Sequence, residues 1–186
     1  MDQKTKDRMH LGVAERGKMY FLEGNHKEAM RHFQEAINMS RKNASSDVFF
    51  QHYTQCVMES MELSGHHEEV ISYCEKLSEF LKEKDMTHDV IKKNFATARE
   101  RMAVQYLLQG DKTEATQHFE EAAKTMHNKM PLSVELLGWL KRGYNISEKQ
   151  IRDAQSKHKY FIVRKDTVNP ALAIDIPNNA NSVPSI

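Results

Sequence analysis

Residues Gly24–Ala36, GNHKEAMRHFQEA, decide the fold, because the same pattern returns twice later in the chain. It returns at Gly65–Leu77 (GHHEEVISYCEKL) and at Gly110–Ala122 (GDKTEATQHFEEA). Each copy has a glycine, a short polar turn, a glutamate, a small or apolar residue, a larger one four positions later and an apolar one three after that. Recurrence at such a period indicates stacked structural units. The sequence therefore predicts a repeat protein rather than a single globular motif.

Apolar residues on both sides of each glycine recur at helical spacing, and glycine readily takes the left-handed conformation that closes a helix. Residues 43–47 (NASSD) have the composition of a loop with an N-cap for the next helix. The periodicity predicts eight helices, at about residues 4–23, 26–42, 47–63, 67–84, 89–109, 112–128, 132–140 and 147–157.

Two of the three repeats resemble the tetratricopeptide repeat (TPR) family. The first matches at Gly17, Tyr20, Gly24, Ala29, Phe33 and Ala36, and the third at Ala103, Tyr106, Gly110, Ala115, Phe119, Ala122 and, a few residues late, Pro131. The middle repeat departs, with Met58, Met61, Val70, Cys74 and Leu77 at those places. The resemblance implies an all-α fold, a right-handed α-solenoid of three TPR-like helical pairs with C-terminal capping helices and an extended tail.

The expected organisation has three parts. A helical-repeat domain spans about residues 1–143, with repeats at about 10–43, 51–84 and 96–129 and a cap at 132–142. A further capping helix, opened by a capping box at residues 147–150 (SEKQ), and a short strand or extended segment at Tyr160–Val163 occupy 144–163. Residues 164–186 form an extended or flexible tail, in which three prolines stop the helical pattern. Residues 178–182 (NNANS) have the composition of a disordered segment, whereas 171–176 (ALAIDI) are apolar enough to be a docking peptide.

Composition restricts the function. The chain has 186 residues, 39% of them apolar, and a formal net charge of +1, which does not favour binding to polyanions. Residues 141–166 hold eight Lys/Arg against three Asp/Glu. We interpret this basic surplus as a solvated capping face, with an anion or nucleic-acid patch as the alternative.

Cys56 and Cys74 fall within predicted helices, so we expect buried, reduced thiols and a cytoplasmic location. The sequence has no apolar run long enough to predict a membrane span, and we expect no secretory signal.

No catalytic signature is recognisable. The sequence lacks a glycine-rich phosphate loop, a His-Glu-x-x-His motif, a nucleophile elbow and a Cys-x-x-Cys pair. His66-His67 is interpreted as a surface turn rather than a metal site, because no second cluster at ligand spacing accompanies it. We therefore expect a non-enzymatic protein without a metal or cofactor. The alternative of another class is an enzyme or a metal protein whose site is assembled from dispersed residues.

The TPR resemblance implies that the first helix of each pair lines a concave surface that binds an extended peptide. The family's inward-facing positions in this chain are Leu11, Ala14, Lys18, Phe21, His52, Gln55, Glu59, Glu62, Thr97, Glu100, Arg101 and Val104. The carboxylate clamp of chaperone-binding TPR proteins is not expected, because its positions hold Ala14, Lys18, Cys56, Thr97 and Arg101, of which only Arg101 fits.

Two binding hypotheses remain open at this point. In the first, the protein is an adaptor, scaffold or chaperone whose groove binds an extended segment of a partner protein. In the second, it is a peptide-sensing or self-regulated protein whose C-terminal tail occupies its own groove or that of a neighbouring copy, which would make a homo-oligomer. Neither hypothesis requires nucleic acid or a membrane.

Overall fold

A computed structural model describes residues 3–42 and 47–176, and this part of the chain is all-α and contains no strand. The α-helices are α1 (Gln3–Leu22), α2 (His26–Lys42), α3 (Asp47–Leu63), α4 (His67–Lys82), α5 (Asp89–Leu108), α6 (Lys112–Thr125), α7 (Pro131–Lys141) and α8 (Glu148–Lys157). Two short 3-10 helices follow, at Lys165–Thr167 and Pro170–Leu172. No helix in these two ranges is both long enough and apolar enough to cross a membrane.

The chain forms two compact units. The first unit contains residues 1–64 and 162–186, and the second contains residues 65–161. In the first unit α2 packs against both α1 and α3. Its core includes Val13, Ala14, Ala36, Ile37 and Tyr53. Residues 162–176, here called the C-terminal segment, belong to this unit although they are distant in sequence.

In the second unit, each helix from α4 to α7 packs against the helix that follows it. The core is formed by α5, α6, α7 and α8, with Val104, Phe119, Leu132, Leu136 and Ile151 almost completely buried. Isolated helices of this kind are at best marginally stable in water, so this shared core supplies most of the stability.

Repeat glycines close the first helix of two hairpins. Gly24 has φ +78° and Gly110 has φ +86°, backbone conformations that other residues rarely adopt. The amide of the residue after each glycine donates to a carbonyl oxygen near the helix end, that of Tyr20 in one hairpin and that of Tyr106 in the other. This is a Schellman-type end, and the predicted role of the glycines is confirmed.

The eight predicted helices are confirmed, with small differences at their ends. Helix α4 ends at Lys82, two residues early, and α6 ends at Thr125 because His127 and Asn128 take positive φ angles of 49° and 59°. The capping box of α8 is present, with reciprocal bonds between Ser147 and Gln150.

No strand is formed at Tyr160–Val163, which leaves the extended alternative, and residues 164–176 contain the two short 3-10 helices and otherwise no regular structure. Cys56 and Cys74 are both buried and are thiols rather than a disulfide, as expected. The loop predicted at 43–46, the disordered segment predicted at 178–182 and the remaining tail to residue 186 lie outside the described residues.

Candidate functional site

The C-terminal segment lies on one face of the first unit, formed by α1 and α3. The residues of this face that contact the segment are called the docking face: Gly12, Glu15, Arg16, Lys18 and Glu59. Helix α1 supplies four of these residues because positions 12, 15, 16 and 18 fall on adjoining parts of its surface. The site is therefore built from one helix, a single residue of a second helix and a segment more than a hundred residues away in sequence.

Glu59 holds the start of the segment. Its carboxylate is fully buried and accepts hydrogen bonds from the backbone N–H groups of Ile162 (2.8 Å) and Val163 (3.1 Å). A buried carboxylate is costly unless it is hydrogen-bonded, and these two donors supply part of that compensation. The Val163 side chain is itself only 3% exposed. This end of the segment is thus anchored both by hydrogen bonds and by apolar burial.

Glu15 and Lys18 hold the middle of the segment. The Glu15 carboxylate accepts a hydrogen bond from the backbone N–H of Asn169 at 2.7 Å and forms an ion pair with Lys18 at 2.8 Å. The Lys18 ammonium also lies 3.5 Å from the carbonyl oxygen of Thr167, to which it donates. One ion pair therefore presents an acceptor and a donor to successive main-chain groups of the segment.

Gly12 allows the last part of the segment to approach the backbone of α1. The N–H of Ile174 donates to the Gly12 carbonyl oxygen at 3.0 Å. A Cβ atom at position 12 would lie 2.5 Å from Ile174 Cδ1 and 2.6 Å from the Leu172 carbonyl oxygen. No real side chain tolerates such distances, so the absence of a side chain at position 12 is required for this contact.

Arg16 pairs with the one acidic residue of this last part. Its Nε donates to Asp175 Oδ1 at 2.9 Å, and the same guanidinium lies over the Tyr20 ring at 4.6 Å. His32 Nε2 lies 3.9 Å from the same Asp175 oxygen. Ile176 then packs against the apolar core that includes Val13 and Tyr53. An acidic side chain and an aliphatic one thus occupy neighbouring places on the first unit.

Burial shifts the pKa of several groups near the docking face. Burial lowers the pKa of His52, and Lys18 lowers it further, while Glu15 partly offsets both. Burial also lowers the pKa of His10, whose Nδ1 lies 2.7 Å from the Tyr53 hydroxyl, and raises the pKa of Tyr53. These rings are therefore neutral at physiological pH, and the charged side chains that the docking face presents to the segment are those of Glu15, Arg16, Lys18 and Glu59.

The eight predicted groove residues of the first unit have different environments. Lys18 and Glu59 contact the C-terminal segment directly, and Ala14 lies in the core against which Ile176 packs. Gln55 donates a hydrogen bond to the Glu59 carboxylate at 3.3 Å and so helps to orient this residue of the docking face. Of the other four, Phe21 and Glu62 are buried, and Leu11 and His52 are half-buried.

The four predicted groove residues of the second unit are engaged within that unit or half-buried. Glu100 accepts hydrogen bonds from the backbone N–H (3.0 Å) and hydroxyl (2.6 Å) of Ser133 at the start of α7, and burial raises its pKa. The Arg101 guanidinium lies over the Tyr160 ring at 5.3 Å. Val104 belongs to the core, and Thr97 is half-buried.

Three residues of the docking face, Gly12, Glu15 and Arg16, were not among the predicted site residues. A signal for Gly12 exists in the sequence, because glycine inside a helical pattern is unfavourable and often marks a close approach of another chain segment. Glu15 and Arg16 carry no such signal, since charged residues are common on any exposed helix face.

Within residues 3–42 and 47–176, no group of three or more His, Cys, Asp or Glu side chains is arranged to hold a metal ion. Neither a protein-family model, nor a curated protein, nor a solved structure matches this chain. The contacts of the docking face are thus the available basis for a functional proposal.

Proposed function

We propose that this chain is a non-enzymatic protein-interaction module of the TPR type, whose docking face binds extended peptide segments. In this proposal the chain's own C-terminal segment occupies the face, and a segment of a partner protein competes for it. The right-handed solenoid of TPR-like pairs belongs to the same proposal. It is supported inside each unit by the packing of consecutive helices, α1 to α3 in one and α4 to α7 in the other.

The observation that carries the proposal is the way in which main-chain groups are bound. The N–H groups of Ile162, Val163, Asn169 and Ile174 all donate to acceptors on α1 or α3, and Lys18 donates to a main-chain carbonyl oxygen. Every peptide main chain offers N–H and carbonyl groups of this kind. In peptide recognition, main-chain bonds supply affinity and side-chain pockets supply specificity.

Uneven burial along the segment favours competition by another chain. Val163 is 3% exposed, but Leu172 is 53% and Ile174 is 44% exposed. Apart from Ile176, which packs on the core, the latter part of the segment therefore buries little apolar area and is held by polar contacts, which water can replace at modest cost. A partner segment that makes the same polar contacts and buries more apolar area would displace it.

A fluorescent peptide with the sequence of residues 160–176 tests the proposal by anisotropy, with the full-length chain as the receptor. The Val163→Asp variant places a carboxylate beside Glu59 and should release the chain's own segment. We expect this variant to bind the peptide about tenfold more tightly than the wild type, in which the tethered segment competes at high effective concentration.

The Leu172→Asp variant is the matched control, because it introduces the same charge in the same segment at a half-exposed side chain. It should bind the peptide less tightly than Val163→Asp does. Absence of peptide binding to every variant would contradict the proposed function. Equal binding to the wild type and to Val163→Asp would contradict occupation of the face by the chain's own segment.

A further inference from the structure

The last five residues of the C-terminal segment, Leu172–Ile176, meet three different features of the first unit in strict order. The main chain at Ile174 bonds to the Gly12 carbonyl oxygen, the Asp175 carboxylate meets Arg16, and the Ile176 side chain packs on the core. Each feature selects a different property of a peptide. Gly12 selects a closely approaching main chain, Arg16 selects a negative charge, and the core selects an aliphatic side chain.

A second observation at the acidic position comes from His32. This side chain is 1% exposed, and its Nδ1 lies 2.8 Å from the carbonyl oxygen of Glu28. A carbonyl oxygen only accepts, so Nδ1 carries the proton and Nε2 of the neutral ring is without one. Nε2 has no hydrogen-bond partner in the described residues and lies 3.9 Å from Asp175 Oδ1. Position 175 is thus flanked by Arg16, which attracts a negative charge, and by a buried nitrogen that accepts hydrogen bonds and adds no attraction for a carboxylate while the ring is neutral.

We infer that the partner presents an extended segment with an acidic residue between two aliphatic residues, and that this segment replaces Leu172–Ile176 on α1. The inference rests on the proposed function and specifies the ligand of the same face. Ile174, Asp175 and Ile176 are the chain's own version of that pattern. The acidic residue binds Arg16, and the aliphatic residue after it packs where Ile176 packs.

Charge reversal on the two sides of the contact gives two full-length receptors that should both be open. In Asp175→Lys, the lysine of the chain's own segment is repelled by Arg16. In Arg16→Glu, Asp175 of the segment is repelled by the new glutamate on α1. The side chain of Asp175 is 72% exposed and that of Arg16 is 29% exposed, and neither residue belongs to the apolar core of the first unit. Circular dichroism checks that both receptors keep their helical content.

Fluorescent peptides with the sequence of residues 168–176 are the probes, in the parent form and with Asp175→Lys or Ile176→Ser. The Asp175→Lys receptor should bind the parent peptide about five- to tenfold more tightly than the lysine-substituted peptide, and the Arg16→Glu receptor should show the reverse order. The Ile176→Ser peptide should bind both receptors about tenfold more weakly than the better of the other two, because it loses aliphatic burial.

The outcomes separate the inference from the proposed function. If both receptors rank the peptides in the same order, or bind all three equally, the acidic–aliphatic pattern is wrong while peptide binding at the face stands. If no peptide of residues 168–176 binds either receptor, but the peptide of residues 160–176 binds Val163→Asp, the inference is again wrong. If that longer peptide also fails to bind, the proposed function falls and the inference with it.

Discussion

Two helical hairpins of this chain, α1–α2 in the first unit and α5–α6 in the second, repeat the same Tyr–His contact in different surroundings. Tyr20 and His32 have ring centroids 5.0 Å apart, and Tyr106 and His118, each 86 positions further along the chain, have theirs 5.4 Å apart. His118 is approached by Arg99 at 3.1 Å, a residue of its own hairpin. His32 is approached instead by Asp175 from the C-terminal segment.

The surfaces of the two first helices differ at the corresponding positions. Helix α1 has Gly12 and Arg16 where α5 has Ala98 and Met102, both of which are buried. A Cβ at position 12 would collide with the segment, and a methionine cannot pair with an acidic residue. The two hairpins therefore share a scaffold, while Gly12 and Arg16, which lie outside the repeat signature, allow α1 to bind the main chain and the acidic side chain of the segment.

The largest expected effect concerns what the hairpins share. Phe33 and Phe119 are both fully buried at the same repeat position. Truncation of either to alanine should lower the free energy of unfolding by about 3 to 5 kcal/mol, through lost burial and the cavity left behind. Urea denaturation followed by circular dichroism measures this. A loss below about 1 kcal/mol for one of them would mean that the two hairpins are not packed alike.

The next largest effect is expected from the loss of the Glu59 carboxylate, a change that should affect the first unit and not the second. Glu59→Ala leaves the N–H groups of Ile162 and Val163 without this buried acceptor. The cost should be about 1 to 3 kcal/mol, seen as faster hydrogen exchange of these two amides. Glu100→Ala is the matched control, since Glu100 is a buried carboxylate that accepts from the Ser133 N–H in the second unit. Unchanged exchange at Ile162 and Val163 in Glu59→Ala would contradict the anchoring role.

A smaller effect follows when α1 is made to resemble α5. Gly12→Ala should weaken the contact of Leu172 and Ile174 with α1, although alanine favours the helix itself by about 0.5 to 1 kcal/mol. Gly138→Ala is the control, because the nearest atom to its added Cβ is Arg142 Nη2 at 3.9 Å. The control should be more stable than the wild type in urea, whereas Gly12→Ala should show faster exchange of the Ile174 amide. Slower or equal exchange would contradict the close approach at Gly12.

The smallest expected effect is on the two histidines. Burial lowers the pKa of both His32 and His118, and Asp175 partly offsets this for His32. For His32, Glu28 also raises the pKa and Arg31 lowers it. Asp175→Asn should therefore lower the pKa of His32 further and leave that of His118 unchanged, as measured by NMR titration of the imidazole protons. An equal shift at both rings, or none at His32, would contradict the placement of Asp175.

The same shifts give a pH dependence of stability. Because the folded state lowers these pKa values, it favours the neutral rings. Their contribution to stability is complete above the unfolded pKa of about 6.5 and is lost as the pH falls through and below that value. The urea midpoint should accordingly be higher at pH 7.5 than at pH 5.5, and substitution of His32 and His118 by glutamine should reduce this difference.

Much of the helical scaffold was predictable from the sequence because its signals are local. Glycines such as Gly24 and Gly110 and the small-to-aromatic spacing of Ala29 and Phe33 fix helix ends and hairpin packing over short distances. The early end of α6 was missed because two ordinary residues there, His127 and Asn128, take positive φ angles.

The candidate site was predictable only in part. Lys18 and Glu59 were named from the family's inward-facing positions, but the segment that contacts them is more than a hundred residues away. Its register on α1 is set by tertiary contacts at Gly12 and Arg16, which no local periodicity encodes. The apolar stretch ending at Ile176 indicated a docking peptide without indicating where it docks.

If the C-terminal segment lies on α1 of its own chain, nuclear Overhauser effects should join the Gly12 α-protons to the Ile174 δ1-methyl protons in the dilute full-length protein. In a mixture of differently isotope-labelled chains, no such effect should join one chain to another. Absence of the Gly12–Ile174 effect, or its appearance only between different chains, would mean that the segment does not lie on α1 of its own chain.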